Sequence, residues 1–138
     1  MSHPLEKIIR DAYAAFGCGD VDGYLQACTP NFRFNVPGQG ALAGSYLGKE
    51  GLHDLARLAM DLTGGTFQEE VEAVLANDAH AVVLARHQFT RNRTAKEYRT
   101  AHVYEVRDGK LAECWEQPRD QQQFDDAWGE QLRTAQRF

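Results

Sequence analysis

The sequence predicts an α+β fold, an antiparallel sheet with helices packed on one face. Three observations carry this. Residues 79–120 read as three long strands in a row, broken by turn-rich stretches at residues 91–94 and 107–110. Helical periodicity precedes the first strand and returns between strands. The predicted order is helix, helix, strand, helix, four strands and a closing helix. A strongly bent sheet with helices on its concave side leaves a blind, mostly apolar pocket.

Pro4 suits a first helical turn, because its missing N–H would find no partner there in any case. Leu5, Ile8, Ile9, Ala12 and Phe16 recur at helical spacing, and Gly17 and Gly19 stop that helix. Asp20 caps a second, shorter helix carrying Val21, Tyr24, Leu25 and Cys28. Thr29-Pro30-Asn31 is a break. Residues 32–36 alternate with period two, predicting a strand ended by Pro37 and Gly38. Residues 38–48 are glycine-rich, predicting a loop with at most a short strand at Tyr46. Residues 49–62 predict a helix with Leu52, Leu55, Ala59 and Leu62 on one side, ended by Gly64 and Gly65. Residues 66–76 predict a strand with Phe67, Val71, Ala73 and Leu75 on one face, and Glu70 and Glu72 on the solvated one. Asn77-Asp78 is a turn, and Asp108-Gly109 is a tight hairpin signal. Asp120 with Gln123 resembles a capping box. Phe124, Ala127, Trp128 and Leu132 then stripe a last helix, and residues 133–138 are expected to fray. No repeat or linker divides the chain, so residues 1–138 are expected to form a single domain.

Composition narrows the function. The net charge is −5 with both signs interspersed, so no basic stripe points to nucleic acid. Three cysteines, Cys18, Cys28 and Cys114, lack CxxC spacing, which argues against a disulfide framework and a structural zinc site. The N-terminus has no apolar signal core, and no apolar run reaches membrane length. A cytoplasmic protein with no metal or cofactor is expected. His87, Arg99, His102 and Glu116 lie within apolar strands. That is costly unless they face a cavity, a partner or water. The sheet is therefore expected to form one wall of a pocket.

An ordered series of pieces resembles a known superfamily. They are Ala14-Ala15-Phe16 with Gly19-Asp20-Val21-Asp22-Gly23, residues 32–38, and Ala43-Gly44-Ser45-Tyr46-Leu47-Gly48. Val106-Arg107-Asp108-Gly109-Lys110 and Glu113-Cys114-Trp115-Glu116 complete the series. Together they resemble the nuclear transport factor 2-like superfamily, in its SnoaL-like or ketosteroid isomerase-related branch. The resemblance implies a cone-shaped barrel, with a strongly curved antiparallel or mixed sheet wrapped around N-terminal helices, also called cystatin-like. It also implies a homodimer through the outer sheet face. The three steroid isomerase positions fall on Ala12 (Tyr13 is one residue off), Asn35 and Ala101, so that chemistry is not expected. The SnoaL-like cyclases are similar in placing an acid/base carboxylate after the last-strand tryptophan, here Glu116. Limonene-type epoxide hydrolases use Arg-x-Asp; Arg99-Thr100-Ala101 keeps only the arginine.

With Ala101 matched to a cavity position, side-chain alternation puts Arg99 and Val103 inward too. Thr100, His102 and Tyr104 then face outward with Trp115, as interface residues. His87, Cys114 and Glu116 face inward, and Arg33 and Asn35 share one face. The expected function is a cofactor-free cyclase- or isomerase-like enzyme acting on an apolar, carbonyl-bearing molecule of polyketide type. Glu116 and His87 are the expected catalytic pair. Asn35, Arg99, Arg33, Tyr13 and Tyr46 are the expected substrate contacts. The alternatives are a non-catalytic binder of a small molecule or protein, and a hydrolase or dehydratase with His87 as base. His3, His53 and His80 have no metal-ligand spacing. Arg91, Arg93 and Lys96 read as a solvated hairpin tip, and Cys114 as an apolar filler.

Overall fold

The computed structural model describes residues 2–129. Leu132 and the tail at 133–138 lie outside the described residues. Helix α1 spans Pro4–Gly17 and α2 spans Val21–Leu25. His3, given no role above, caps α1: its side chain accepts the Leu5 N–H, and Glu6 reaches back to the His3 N–H. Strand β1 spans Cys28–Val36, four residues longer than expected, and takes Cys28 out of the second helix. Its ladder to the neighbouring strand is interrupted between Cys28 and Arg33, and that gap accommodates Pro30. Strand β2 is Gly44–Leu47, and α3 is Gly48–Thr63, stopped by Gly64 at φ 59°.

The remaining strands are β3 (Gln68–Ala76), β4 (His80–Arg91), β5 (Thr94–Arg107) and β6 (Lys110–Pro118). Helix α4 spans Gln121–Trp128, with Asp120 accepting the Gln123 N–H. Asn92-Arg93 and Asp108-Gly109 turn the two long hairpins with positive φ at both central residues. That backbone matches the twist of the flanking strands.

One six-stranded sheet results, in the order β2-β1-β6-β5-β4-β3. It is mixed, because β1 runs parallel to β6 while the other neighbours are antiparallel. The edges β2 and β3 do not pair, so the sheet stays open. Helix α1 packs on β3, α3 on β1 and β2, and α4 on β5 and β6. Ile9, Phe32, Leu52, Tyr104, Leu111 and Trp128 are the closely packed centre. Among the described residues no helix is long and apolar enough to cross a membrane.

Two β-bulges decide which side chains point inward. One residue inserted into a strand slips its register and turns later side chains over. Glu72 is the extra residue on β3, since Val71 pairs Ala85 while Ala73 pairs Leu84. Val74 is therefore buried, and Leu75, expected inward, is 55% exposed. On β6 the extra residue is Ala112: Glu105 pairs Glu113, but Val106 pairs Leu111. Without it, the count from the Arg107–Lys110 pair would set Ala101 opposite Glu116. With it, His102 stands opposite Glu116 and Tyr104 opposite Cys114. Thr100, His102 and Tyr104, expected on the outer face, are thus buried, and Arg99, Ala101 and Val103 are turned outward.

Arg91 also departs from expectation. It donates to the Leu62, Ala127 and Trp128 carbonyls, clamping the ends of α3 and α4 to the sheet.

This register makes a direct prediction. Tyr104→Ala should cost about 3–5 kcal/mol, the range for truncating a buried aromatic ring. Arg99→Ala should leave the urea midpoint within error. The opposite ranking would place β5 in the other register.

Candidate active site

Cross-strand pairing assembles four ionisable side chains inside the sheet. His87 on β4 stands opposite Glu69 on β3, and His102 on β5 opposite Glu116 on β6. Directly opposed residues share a face, so all four meet at the concave surface. His87, His102 and Glu116 are buried, and the Glu69 side chain is 12% exposed.

Each imidazole is held at both nitrogens. His87 Nε2 lies 2.5 Å from Glu69 Oε2, and its Nδ1 lies 2.9 Å from the Tyr98 hydroxyl. Trp128 Nε1 donates to that hydroxyl at 2.8 Å, so α4 fixes the ring indirectly. His102 Nε2 lies 3.3 Å from Glu116 Oε2, and its Nδ1 lies 2.6 Å from the Tyr13 hydroxyl. Thr100 Oγ1 donates to the same Glu116 oxygen at 3.0 Å. The hydroxyls of Tyr13, Tyr104 and Tyr24 continue the chain, at 2.5 and 2.7 Å. The two imidazole centroids are 5.5 Å apart. Among the described residues, no buried side-chain nitrogen or oxygen lacks a partner.

The charges follow from this geometry. Burial pushes the Glu116 carboxyl up, but the charge and hydrogen bond of His102, with help from His87 and Thr100, hold it below the ordinary range. Glu69 is held low in the same way, with burial opposed by His87 and then His102. Burial pushes His102 down, and Glu116 and Glu69 more than offset it, so its net shift is upward. Burial holds Tyr13, Tyr24, Tyr98 and Tyr104 well above the ordinary phenol range. They are neutral at physiological pH and serve as donors and acceptors. Burial likewise raises the Cys114 thiol, which makes it a poor nucleophile.

The surrounding walls are apolar, including Phe34, Leu52, Leu55, Phe67 and Trp128. The free space inside is about 60 Å³, room for about four waters at ~15 Å³ each. It adjoins a groove of about 640 Å³ between the α1–α2 turn, α3 and β3. Phe16, Ala59, Phe67 and Glu69 line both spaces. Glu69 therefore stands at the threshold.

Of the residues singled out from sequence, His87, Glu116 and Tyr13 line the pocket. The other four do not, for stated reasons. Arg99 donates to Glu72 on the exposed face, at 3.0 Å. Asn35 points away from the cavity, donating to Glu113 and the Cys114 carbonyl and accepting from Ser45. Arg33 shares that outer face of β1 and is exposed, because Phe32, Phe34 and Val36 take the inner one. Tyr46 donates to the Leu42 carbonyl at 2.7 Å and packs on the core outside the pocket. Sequence reasoning missed Glu69, His102, Tyr24, Tyr98 and Tyr104. A signal for β5 existed: Arg99, Glu105 and Arg107 share odd parity, which marks that face as the wet one. Glu69 shares parity with Phe67 and Val71. Glu69, His87 and His102 also offer donor atoms that all lie within 4.8 Å of one another.

The fold is that of the NTF2-like or cystatin-like proteins. The family model for the SnoaL-like domain matches residues 9–114, and the chain belongs to that family. Bal32a, from a soil-derived mobile gene cassette, is similar at 25% identity and TM-score 0.83, over 91% of this chain and 96% of that one. TerC, crystallised with polyporic acid, is similar at 23% and 0.79, over 91% and 98%. An NTF2-like protein of Burkholderia pseudomallei is similar at 18% and 0.79, over 90% and 96%. No curated protein matches the sequence.

The His102–Glu116 pair predicts a stability dome. Glu116 has a depressed value in the fold, so its contribution is full above the ordinary carboxylate value of 4.5 and is lost as pH falls through its folded value. His102 has a raised value, so its contribution is full below the ordinary histidine value of 6.5 and is lost as pH rises through its folded value. Both are complete between 4.5 and 6.5. Glu116→Gln should flatten this dome and cost about 3 kcal/mol near pH 6. That is the low end for breaking a buried pair, because His102 can shed its proton. Urea midpoints measured from pH 3 to 9 check it.

Proposed function

We propose that this pocket moves protons on an apolar, carbonyl-bearing small molecule of polyketide type, in a cyclisation or isomerisation. The observation that supports it most is the pairing of two imidazoles with two carboxylates in one apolar cavity that opens onto a groove. Glu69 is the base. It is ionised and lines both spaces, and its bond to His87 holds the carboxylate in place. The Tyr13 hydroxyl is the donor to the developing oxyanion. His102, whose charged form Glu116 and Glu69 favour, supplies the returning proton through Tyr13. Glu116 thus keeps a part in acid–base work by charging His102, and His87 keeps one as the base's partner.

Membership in the SnoaL-like family supports the substrate class, as does the co-crystallisation of the similar protein TerC with polyporic acid. The inner space is small, so the reacting end of the substrate enters it and the bulk rests in the groove. Arg99 does not close the pocket by pairing with Glu116, as it would in a purely structural arrangement; it pairs with Glu72 instead.

Solvent deuterium incorporation tests this without knowledge of the product. A panel of cyclic diketones and hydroxylated aromatic ketones is incubated with the protein in D2O and followed by mass spectrometry. Wild type should label at least one member next to its carbonyl. Glu69→Gln should slow labelling about 100-fold or more, the usual worth of a positioned base. Equal rates for both proteins would end this mechanism. Tight binding of panel members without labelling would make the protein a binder.

A further inference from the structure

We propose that Glu69, His87 and His102 form a binding site for one divalent transition-metal ion of the zinc class. Glu69 Oε2, His87 Nε2 and His102 Nδ1 are the donors. Oε2 lies 2.5 Å from the first nitrogen and 4.0 Å from the second, with all donors within 4.8 Å. Zinc–nitrogen bonds of about 2.0–2.1 Å set donors roughly 3–3.5 Å apart around an ion. Small side-chain rotations that open the close pair and draw in the distant one reach that spacing. Two imidazoles with one carboxylate select zinc, cobalt, nickel or iron(II) over magnesium and calcium, which prefer oxygen donors.

Two further features point to an ion rather than to chance proximity. The first is the outer layer of hydrogen bonds. A metal-bound histidine is normally oriented through its other ring nitrogen by a carboxylate or another hydrogen-bonding group. His102 Nε2 faces Glu116, and His87 Nδ1 faces the Tyr98 hydroxyl, itself held by Trp128. His87 Nε2 is thereby left toward Glu69, while His102 Nδ1 also meets the Tyr13 hydroxyl at 2.6 Å, a bond that an ion would displace. The second is charge. Glu69 and Glu116 both line the cavity, and no lysine or arginine lines it. A dication complements that wall once the histidines are neutral, and its binding would release the proton that His102 otherwise holds. Three protein donors leave further coordination positions facing the cavity, as at catalytic zinc sites. There an ion would polarise a substrate oxygen as a Lewis acid.

Metal binding uses the same side chains as the acid–base reading but does not rest on it, so its test reads binding alone. The full chain is stripped with a chelator and titrated with CoCl2 and, separately, ZnCl2. One cobalt per chain should give visible d–d absorption. His87→Gln and His102→Gln should each weaken binding at least 100-fold. Glu116→Gln should weaken it 10- to 100-fold, the usual effect of losing an orienting carboxylate. His53→Gln, which alters an exposed histidine paired with Asp22, should change nothing. To guard against variants that fail to fold, imidazole nitrogen resonances are followed in wild type. Zinc should move the signals of His87 and His102 and leave His3, His53 and His80 in place. The absence of the cobalt band overturns the site. So does movement of the exposed histidines alone, or a band that survives both histidine substitutions. Deuterium labelling by metal-free protein is scored separately, so either idea can fail while the other stands.

Discussion

The structure depends on one constraint: two imidazoles and two carboxylates inside an apolar sheet must satisfy each other. Removing a charge from water costs several kcal/mol even after relaxation. No water-exposed solution exists for Glu116 or His102, which are 4% and 3% exposed. They solve the problem pairwise, Glu116 with His102 and Glu69 with His87. The leftover donors and acceptors are taken up by Thr100 and by tyrosines from α1, α2 and β5. The partners come from six elements, so the cluster ties α1, α2 and four strands to one geometry. Even α4 belongs to it, through the Trp128–Tyr98–His87 series.

The fold was readable because its signals are local. Pro4, the Gly64 stop, the Asp108-Gly109 turn and the alternation of residues 32–36 each act within a few residues. The site was only half readable because it depends on register, and register depends on single inserted residues. Ala112 carries no mark that distinguishes a bulge from an ordinary strand position. Its insertion nevertheless exchanges Ala101 for His102 opposite Glu116. Glu116 and His87 do face inward, as expected. Arg99 was misplaced because its strand was oriented by a matched position instead of by its own charges. Arg99, Glu105 and Arg107 lie on one side of β5, and Tyr98, His102, Tyr104 and Val106 on the other. Burying the first set would have stranded two guanidinium groups and a carboxylate in the interior. That cost outweighs any resemblance at Ala101.

Glu69 shows why burial and function converge at a sheet edge. It lies on β3, whose outer edge has no neighbouring strand. A central strand would bury a carboxylate completely, as β6 does with Glu116. An edge strand can hold one with part of its surface toward a groove. The bulge at Glu72 comes three residues later and turns the end of β3 over, so that Val74 closes the core. Before the bulge the strand presents Phe67 and Glu69 to the cavity; after it, the strand presents apolar residues. The position of that one inserted residue confines the polar contribution of β3 to Glu69, where the pocket meets the groove. The hydroxyls of Tyr13, Tyr24 and Tyr104 are the neutral part of the same hydrogen-bonded cluster, joined to it at His102.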